Sequence, residues 1–192
     1  MRRACFAATL FLAFIVGLSA EAYADNVANL NLLYTQKNME KWQNELKELP
    51  AYGIEGDIRL GSAPINLWMG VTTGKDTGKT LSRGLTVTVD TTQTEMYIGA
   101  RSYLQFGSTL ATYAGLGVSS VKSDVSGKSG GVSSSNSETT TGYLWNFGIL
   151  LRFGNFNIGG DYRALSGTSL NMENAYSNVN YNQMGVVLGF NW

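Results

Sequence analysis

The stretch from Tyr181 to Trp192, YNQMGVVLGFNW, limits what this chain can fold into more than any other. At period two, Met184, Val186, Leu188, Phe190 and Trp192 fall on one face of an extended strand, with Tyr181, Gln183, Gly185, Gly189 and Asn191 on the other. A soluble protein has to bury such an apolar face against a second sheet. A strand closing a transmembrane barrel instead shows it to lipid, with an aromatic side chain at the water boundary. The second arrangement is expected here, because the same alternation recurs along the chain with charges on the opposite face.

The beginning of the sequence reads as a secretory signal. Arg2 and Arg3 precede an apolar run from Ala4 to Leu18, and Ala22-Tyr23-Ala24 offers small residues where a signal peptidase cuts. Cleavage is expected after Ala24, leaving residues 25–192 as one barrel domain. The apolar run is shorter than the roughly 20 residues of a spanning helix. Cys5, the one cysteine, lies in the removed part and ahead of its apolar core, so neither a disulfide nor a lipid-modified cysteine is expected. Charged residues make up 15% of the chain, and Lys plus Arg (14) equal Asp plus Glu (14), which leaves no basic field for nucleic acid. Glycine (23) far outnumbers proline (2), a composition suited to strands joined by tight turns.

From Val27 to Gln36, Leu30, Leu32 and Tyr34 alternate with polar residues as strand one. The period then changes: Met39, Trp42, Leu46 and Leu49 recur at helical spacing between a capping Asn38 and Pro50, which predicts a short helix over 38–49. Strand two, Ala51 to Leu60, sets Tyr52, Ile54, Ile58 and Leu60 against Glu55, Asp57 and Arg59. The turn 61–64 leads to strand three, Ile65 to Thr73. A polar connection, Gly74 to about Gln93, follows; Leu85, Val87 and Val89 within it alternate, as an extension of its neighbours would. Strand four, Thr94 to Phe106, puts Glu95, Tyr97, Arg101 and Tyr103 opposite Met96, Ile98, Leu104 and Phe106. Gly107-Ser108 reads as a two-residue hairpin turn, then strand five runs Thr109 to Val121. The Ser/Gly/Thr-rich segment Lys122 to Thr140 has no periodicity and reads as an irregular loop. Strand six, Thr141 to Phe153, turns at Gly154-Asn155 into strand seven, Phe156 to Leu165, carrying Asp161 and Arg163 opposite Phe156, Ile158 and Tyr162. A last loop, 166–178, precedes the terminal strand. Long and short connections alternate, which predicts an all-β, eight-stranded antiparallel transmembrane β-barrel of up-and-down meander topology.

With its aromatic-ended last strand and alternating segments such as YGIEGDIRL and TEMYIGARSYLQF, the mature chain resembles the small eight-stranded outer-membrane proteins, the OmpA transmembrane domain, OmpX and OmpW group. The resemblance implies a bacterial outer-membrane location, lipopolysaccharide and outer-membrane lipid as surroundings, and a terminal strand (Val186, Leu188, Phe190, Trp192) read by the barrel-assembly machinery. It does not extend to the periplasmic peptidoglycan-binding domain of OmpA.

In a barrel the polar faces meet in one lumen. Glu55, Asp57, Glu95 and Asp161 would there oppose Arg59, Arg101, Arg152 and Arg163, a balanced network filling an interior just wide enough for side chains. Outer-membrane acyltransferases, deacylases, phospholipases and proteases rely on histidine, and this sequence contains none (0), so no catalytic activity is expected. No cofactor or metal site is expected either. The reading is a monomeric, structural or surface-exposed outer-membrane barrel whose long loops carry any binding. Its alternatives are a narrow channel for small or hydrophobic solutes, as OmpW likeness would imply, and a soluble periplasmic lipocalin-like barrel with an apolar interior.

Overall fold

The structure, a computed structural model, describes residues 27–39, 48–82, 85–129, 132–169 and 179–192. The expected signal segment, the middle of the expected helix (40–47) and most of the last loop (170–178) lie outside the described residues. Eight strands are present: β1 (Ala28–Met39), β2 (Glu48–Arg59), β3 (Asn66–Ser82), β4 (Leu85–Phe106), β5 (Leu110–Ser129), β6 (Val132–Phe153), β7 (Phe156–Ser166) and β8 (Tyr181–Asn191). Each pairs antiparallel with the next, and β8 pairs back onto β1, so the sheet is a closed barrel. At the seam Leu32 lies opposite Leu188 and Leu30 opposite Phe190.

Two faces of opposite character result from the period of two. Tyr143 (71% exposed), Met184 (68%) and Leu32 (61%) point outward, while Glu55 and Arg101 (1% each) point into the lumen. A soluble lipocalin-like barrel has the reverse arrangement, and the structure overturns that alternative. The outward apolar series runs from Met96 to Phe106 on β4 and from Tyr143 to Phe153 on β6. Such a length fits the roughly 9–11 residues a tilted strand needs to cross a bilayer. Aromatic side chains mark its edges. Tyr34, Tyr52 and Tyr143 stand at one end, and Phe106, Phe153, Phe156 and Trp192 at the other, where Phe156 and Phe190 pack edge to face at 4.9 Å.

The tight connections lie at the second end. Gly154 adopts φ 60° in the two-residue link between Phe153 and its partner Phe156, a conformation without cost only for glycine. The connection after β4 holds three residues rather than the expected two, since Phe106 pairs with Leu110.

At the opposite end the structure departs from the sequence reading. Lys122 to Thr140 is not an irregular loop: β5 and β6 stay paired through it, as in Asp124 with Ser137 and Ser126 with Ser135. Its serines, glycines and threonines carry no apolar face to show a period, yet the backbone ladder needs none. Gly74 to Gln93 behaves likewise, with Asp76 paired to Thr91 and Lys79 to Thr88. The expected helix is contradicted at both ends, because Asn38 pairs with Glu48 as strand. Met39 and Leu49 are buried on the inward face of the barrel, where a two-residue period serves them equally well. Strands β3–β6 therefore rise well beyond the apolar band as a polar sheet.

Because Leu188 sits within that band, Leu188→Arg is expected to lower folding stability in lipid vesicles by about 2–4 kcal/mol. Ser126→Arg, on the polar extension, should change the urea midpoint by no more than about 0.5 kcal/mol equivalent; equal effects of the two would place the bilayer elsewhere.

Candidate functional site

The inward face of β2 supplies the centre of the lumen. Glu55 accepts hydrogen bonds from six donors: Arg101 Nη1 to Oε1 (2.8 Å) and Nη2 to Oε2 (3.0 Å), Arg163 Nη2 (2.8 Å), Trp68 Nε1 (2.7 Å), the Tyr97 hydroxyl (3.1 Å) and Asn31 Nδ2 (3.3 Å). These donors come from β1, β3, β4 and β7, so one carboxylate ties the wall together across the lumen. Arg101 engages it at two points and also donates Nη1 to Asp57 at 3.2 Å, using the fork geometry that distinguishes arginine from lysine. The Arg101 guanidinium lies between the Trp68 and Tyr113 rings, 4.4 Å from each centroid.

Three further carboxylates complete the set. Asp57 accepts from the Tyr103 hydroxyl (2.5 Å), Asn29 (2.8 Å) and Asn66 (2.5 Å). Asp161 accepts from Tyr113 (2.6 Å), Asn146 (3.2 Å) and Arg163 Nε. Arg163 also donates to the Tyr97 hydroxyl (2.6 Å), which in turn donates to Glu55. Glu95 forms a separate knot nearer the extension, with Lys37 Nζ at 2.5 Å, Ser119 Oγ at 2.7 Å and the Tyr181 hydroxyl 2.6 and 2.7 Å from its two oxygens.

Glycine makes room for these side chains at two places. Gly70 pairs with Tyr97, and Gly148 with Tyr113; a Cβ at either glycine would collide with the facing phenol ring. Each tyrosine therefore lies flat against bare backbone, which aims its hydroxyl at a carboxylate. Apolar side chains close in around the polar groups. Leu33, Leu150 and Val187 pack with Tyr103 and Tyr113, while Leu144, Leu165 and Val121 pack with Trp68 and Tyr97.

Of the sequence-identified residues, Glu55, Asp57, Arg101, Asp161 and Arg163 form one connected group, and Glu95 belongs to the second. Arg59 is half-buried at the turn end of β2. Arg152 is buried yet makes no ion pair with a described residue. The cation that sequence reading missed is Lys37, fully buried against Glu95. It occupies the next inward position after Asn31, Leu33 and Thr35, so period two pointed to it; ending strand one at Gln36 in favour of a helix hid it. Tyr181 was placed on the inward face without a partner, which only barrel closure supplies.

Each carboxylate in the group accepts from three or more donors. The arrangement cross-braces the barrel wall from β1, β2, β3, β4 and β7.

Compared with known proteins, the chain matches a family model for the outer membrane protein beta-barrel domain over residues 8–192. No curated protein matches it closely enough to count as a relative. Among solved structures, Ail, the attachment invasion locus protein of Yersinia pestis, is 14% identical, covering 88% of this chain and 100% of that one at a TM-score of 0.60. OprG of Pseudomonas aeruginosa is 10% identical over 89% and 98% of the two chains, with a TM-score of 0.59. Neisserial surface protein A is 14% identical over 90% and 100%, with a TM-score of 0.56. Identities this low speak to the fold alone.

Removing one side of the central pair leaves the other charge buried without its partner. Arg101→Met is accordingly expected to destabilise the barrel by about 3–5 kcal/mol in urea titrations in lipid vesicles. The Glu55→Gln/Arg101→Met double variant should lose less than the two single losses added. An unchanged midpoint for Arg101→Met would contradict the bracing role.

Proposed function

We propose a function from one premise: the chain belongs to the outer membrane protein beta-barrel domain family. It is a bacterial outer-membrane barrel, and our reading is that it works as a sealed, surface-exposed platform rather than as a channel. After removal of residues 1–24, the barrel-assembly machinery reads the apolar face of β8 (Val186, Leu188, Phe190, Trp192) and inserts the chain. Its lumen is held shut by the Glu55 group. Binding belongs to the polar sheet that β3–β6 raise beyond the bilayer.

The observation that carries this reading is the character of that sheet where it leaves the membrane. On β3, Val71, Thr73 and Lys75 are successive outward positions; on β5, Val118, Ser120 and Lys122 are. Apolar side chain gives way to hydroxyl and then to an exposed ammonium within about two outward positions, at the level where lipopolysaccharide carries its phosphates. Lys122 reaches Asp124 at 3.4 Å but keeps 56% of its side chain exposed, so the pair is weak and the ammonium remains available. Lys75 and Lys122 thus suit the sugar-phosphate layer of lipopolysaccharide in the same leaflet. A barrel of the same fold, Ail of Yersinia pestis, has been solved with the heparin analogue sucrose octasulfate, which is an anionic sugar.

Charge reversal at both positions, Lys75→Glu with Lys122→Glu, is expected to weaken association with lipopolysaccharide-containing vesicles by about 1 kcal/mol per lysine or more, roughly fivefold each. Binding to phosphatidylcholine vesicles should not change, and an equal response of both vesicle types would refute the assignment. In planar bilayers the wild-type barrel should stay at baseline current; steady unitary conductance would return the channel reading to first place. Deletion of Phe190 to Trp192 is expected to abolish heat-modifiable barrel in outer-membrane fractions, and normal assembly of that truncation would remove β8 as the signal.

A further inference from the structure

Among the described residues, Lys37, Arg101 and Arg163 are each ion-paired inside the lumen, but a fourth buried cation is not. Arg152, the last inward residue of β6 before its turn, is 5% exposed, and its Nε and Nη1 are shut off from solvent with no hydrogen-bond partner. Its guanidinium lies 5.6 Å from the Tyr103 ring, whose hydroxyl is given to Asp57, and it feels the Asp57 charge only at a distance beyond an ion pair. Each buried carboxylate among the described residues is engaged by another cation: Glu55 by Arg101 and Arg163, Asp57 by Arg101, Asp161 by Arg163 and Glu95 by Lys37.

Other unanswered polar atoms gather at the same end. Asn157 faces Arg152 across the β6–β7 ladder, and its Oδ1 is occluded and unpartnered; so are Asn29 Oδ1 and Gln105 Oε1. The Asn157 amide nitrogen has only a long 3.5 Å contact to Asn191. The amide oxygen lies over Gly189 of β8, and a half turn of the amide exchanges oxygen and nitrogen in place, which turns that unpartnered acceptor into a donor at the same end of the lumen.

A guanidinium with Nε and Nη1 occluded, only Nη2 open to solvent and no described carboxylate within ion-pair distance is incompletely compensated, and a trapped water relieves only the hydrogen-bond part of that deficit. A small anion relieves both parts. We propose that the turn end of the lumen is an anion-binding site, in which the Arg152 guanidinium with the Asn157 amide holds one small oxyanion of the carboxylate or phosphate class. The planar array of N–H groups matches such oxygens better than a spherical halide. Access is from the turn end, the periplasmic side of the barrel, because the Glu55 group blocks the lumen above. The site is distinct from the lysines of the outer sheet, and its failure would leave the lipopolysaccharide reading standing.

The test uses the full barrel folded in detergent, titrated calorimetrically with inorganic phosphate and, separately, with acetate at constant ionic strength. Wild type is expected to bind at least one of them saturably at a single site, with a matching rise in unfolding temperature. Arg152→Gln should weaken that binding tenfold or more, Arg152→Lys less, because it keeps the charge without the fork, and Asn157→Leu severalfold with the charge intact. Heat-modifiability on gels reports whether each variant is folded, and Asn157→Leu serves if Arg152→Gln does not fold. Saturable binding of either anion that depends on Arg152 or Asn157 supports the site. Absence of saturable binding of both anions to wild type, or binding unaltered in the folded variants, overturns it.

Discussion

Within the hydrocarbon layer no water can satisfy a backbone amide, so every N–H and C=O in the spanning segments must find a partner in the sheet itself. The pairing of β8 with β1, from Asn29 opposite Asn191 to Met39 opposite Tyr181, meets that requirement by removing both sheet edges. Once the ring is closed, each strand has one face toward lipid and one toward the lumen, and the period of two decides which residues take which. The driving force that buries leucine in a soluble core here leaves Leu32 and Leu188 on the outside, because the surroundings are themselves apolar. The interior is released from the need to be greasy.

That freedom explains why Glu55 can sit at the axis with six donors around it. Desolvating a carboxylate and two guanidinium groups is costly, and their mutual attraction offsets the cost only with near-complete hydrogen bonding. The network therefore adds little net stability over a well-packed apolar filling. It contributes uniqueness: the donors come from four different strands, and only one register of the wall brings them to the same carboxylate. With the lumen braced in this way, the two sites we propose lie at its ends, on the β3–β6 sheet with its lysines and at the turn end beside Arg152, which makes no ion pair with a described residue.

Much of this was legible before folding was considered. The alternation in TEMYIGARSYLQF separated Arg101, Tyr97 and Glu95 from Met96 and Ile98, and the structure places them on those two sides. Reading failed where the apolar signal lapsed. Lys122 to Thr140 showed no periodicity because hydroxyls and glycines suit either face, so its paired strands looked like a loop. Between Asn38 and Leu49 the spacing of Met39, Trp42, Leu46 and Leu49 favoured a helix, yet Asn38 and Glu48 are ladder partners. That choice cost the assignment of Lys37, one inward step past the place where the strand was ended.

What the amino-acid order determined by itself is the side each residue faces wherever apolar and polar residues alternate, and the tight connections near Gly61, Gly107 and Gly154, because both depend on neighbours two or three positions away. Which charges meet was decided only by the closed barrel. Glu55 is bound by Arg101, 46 residues on, and by Arg163, 108 residues on. Nothing local to Glu55 encodes those partners. Each strand pair adds its own stagger, the staggers accumulate around the ring, and the level at which two inward side chains coincide exists only when β8 has met β1.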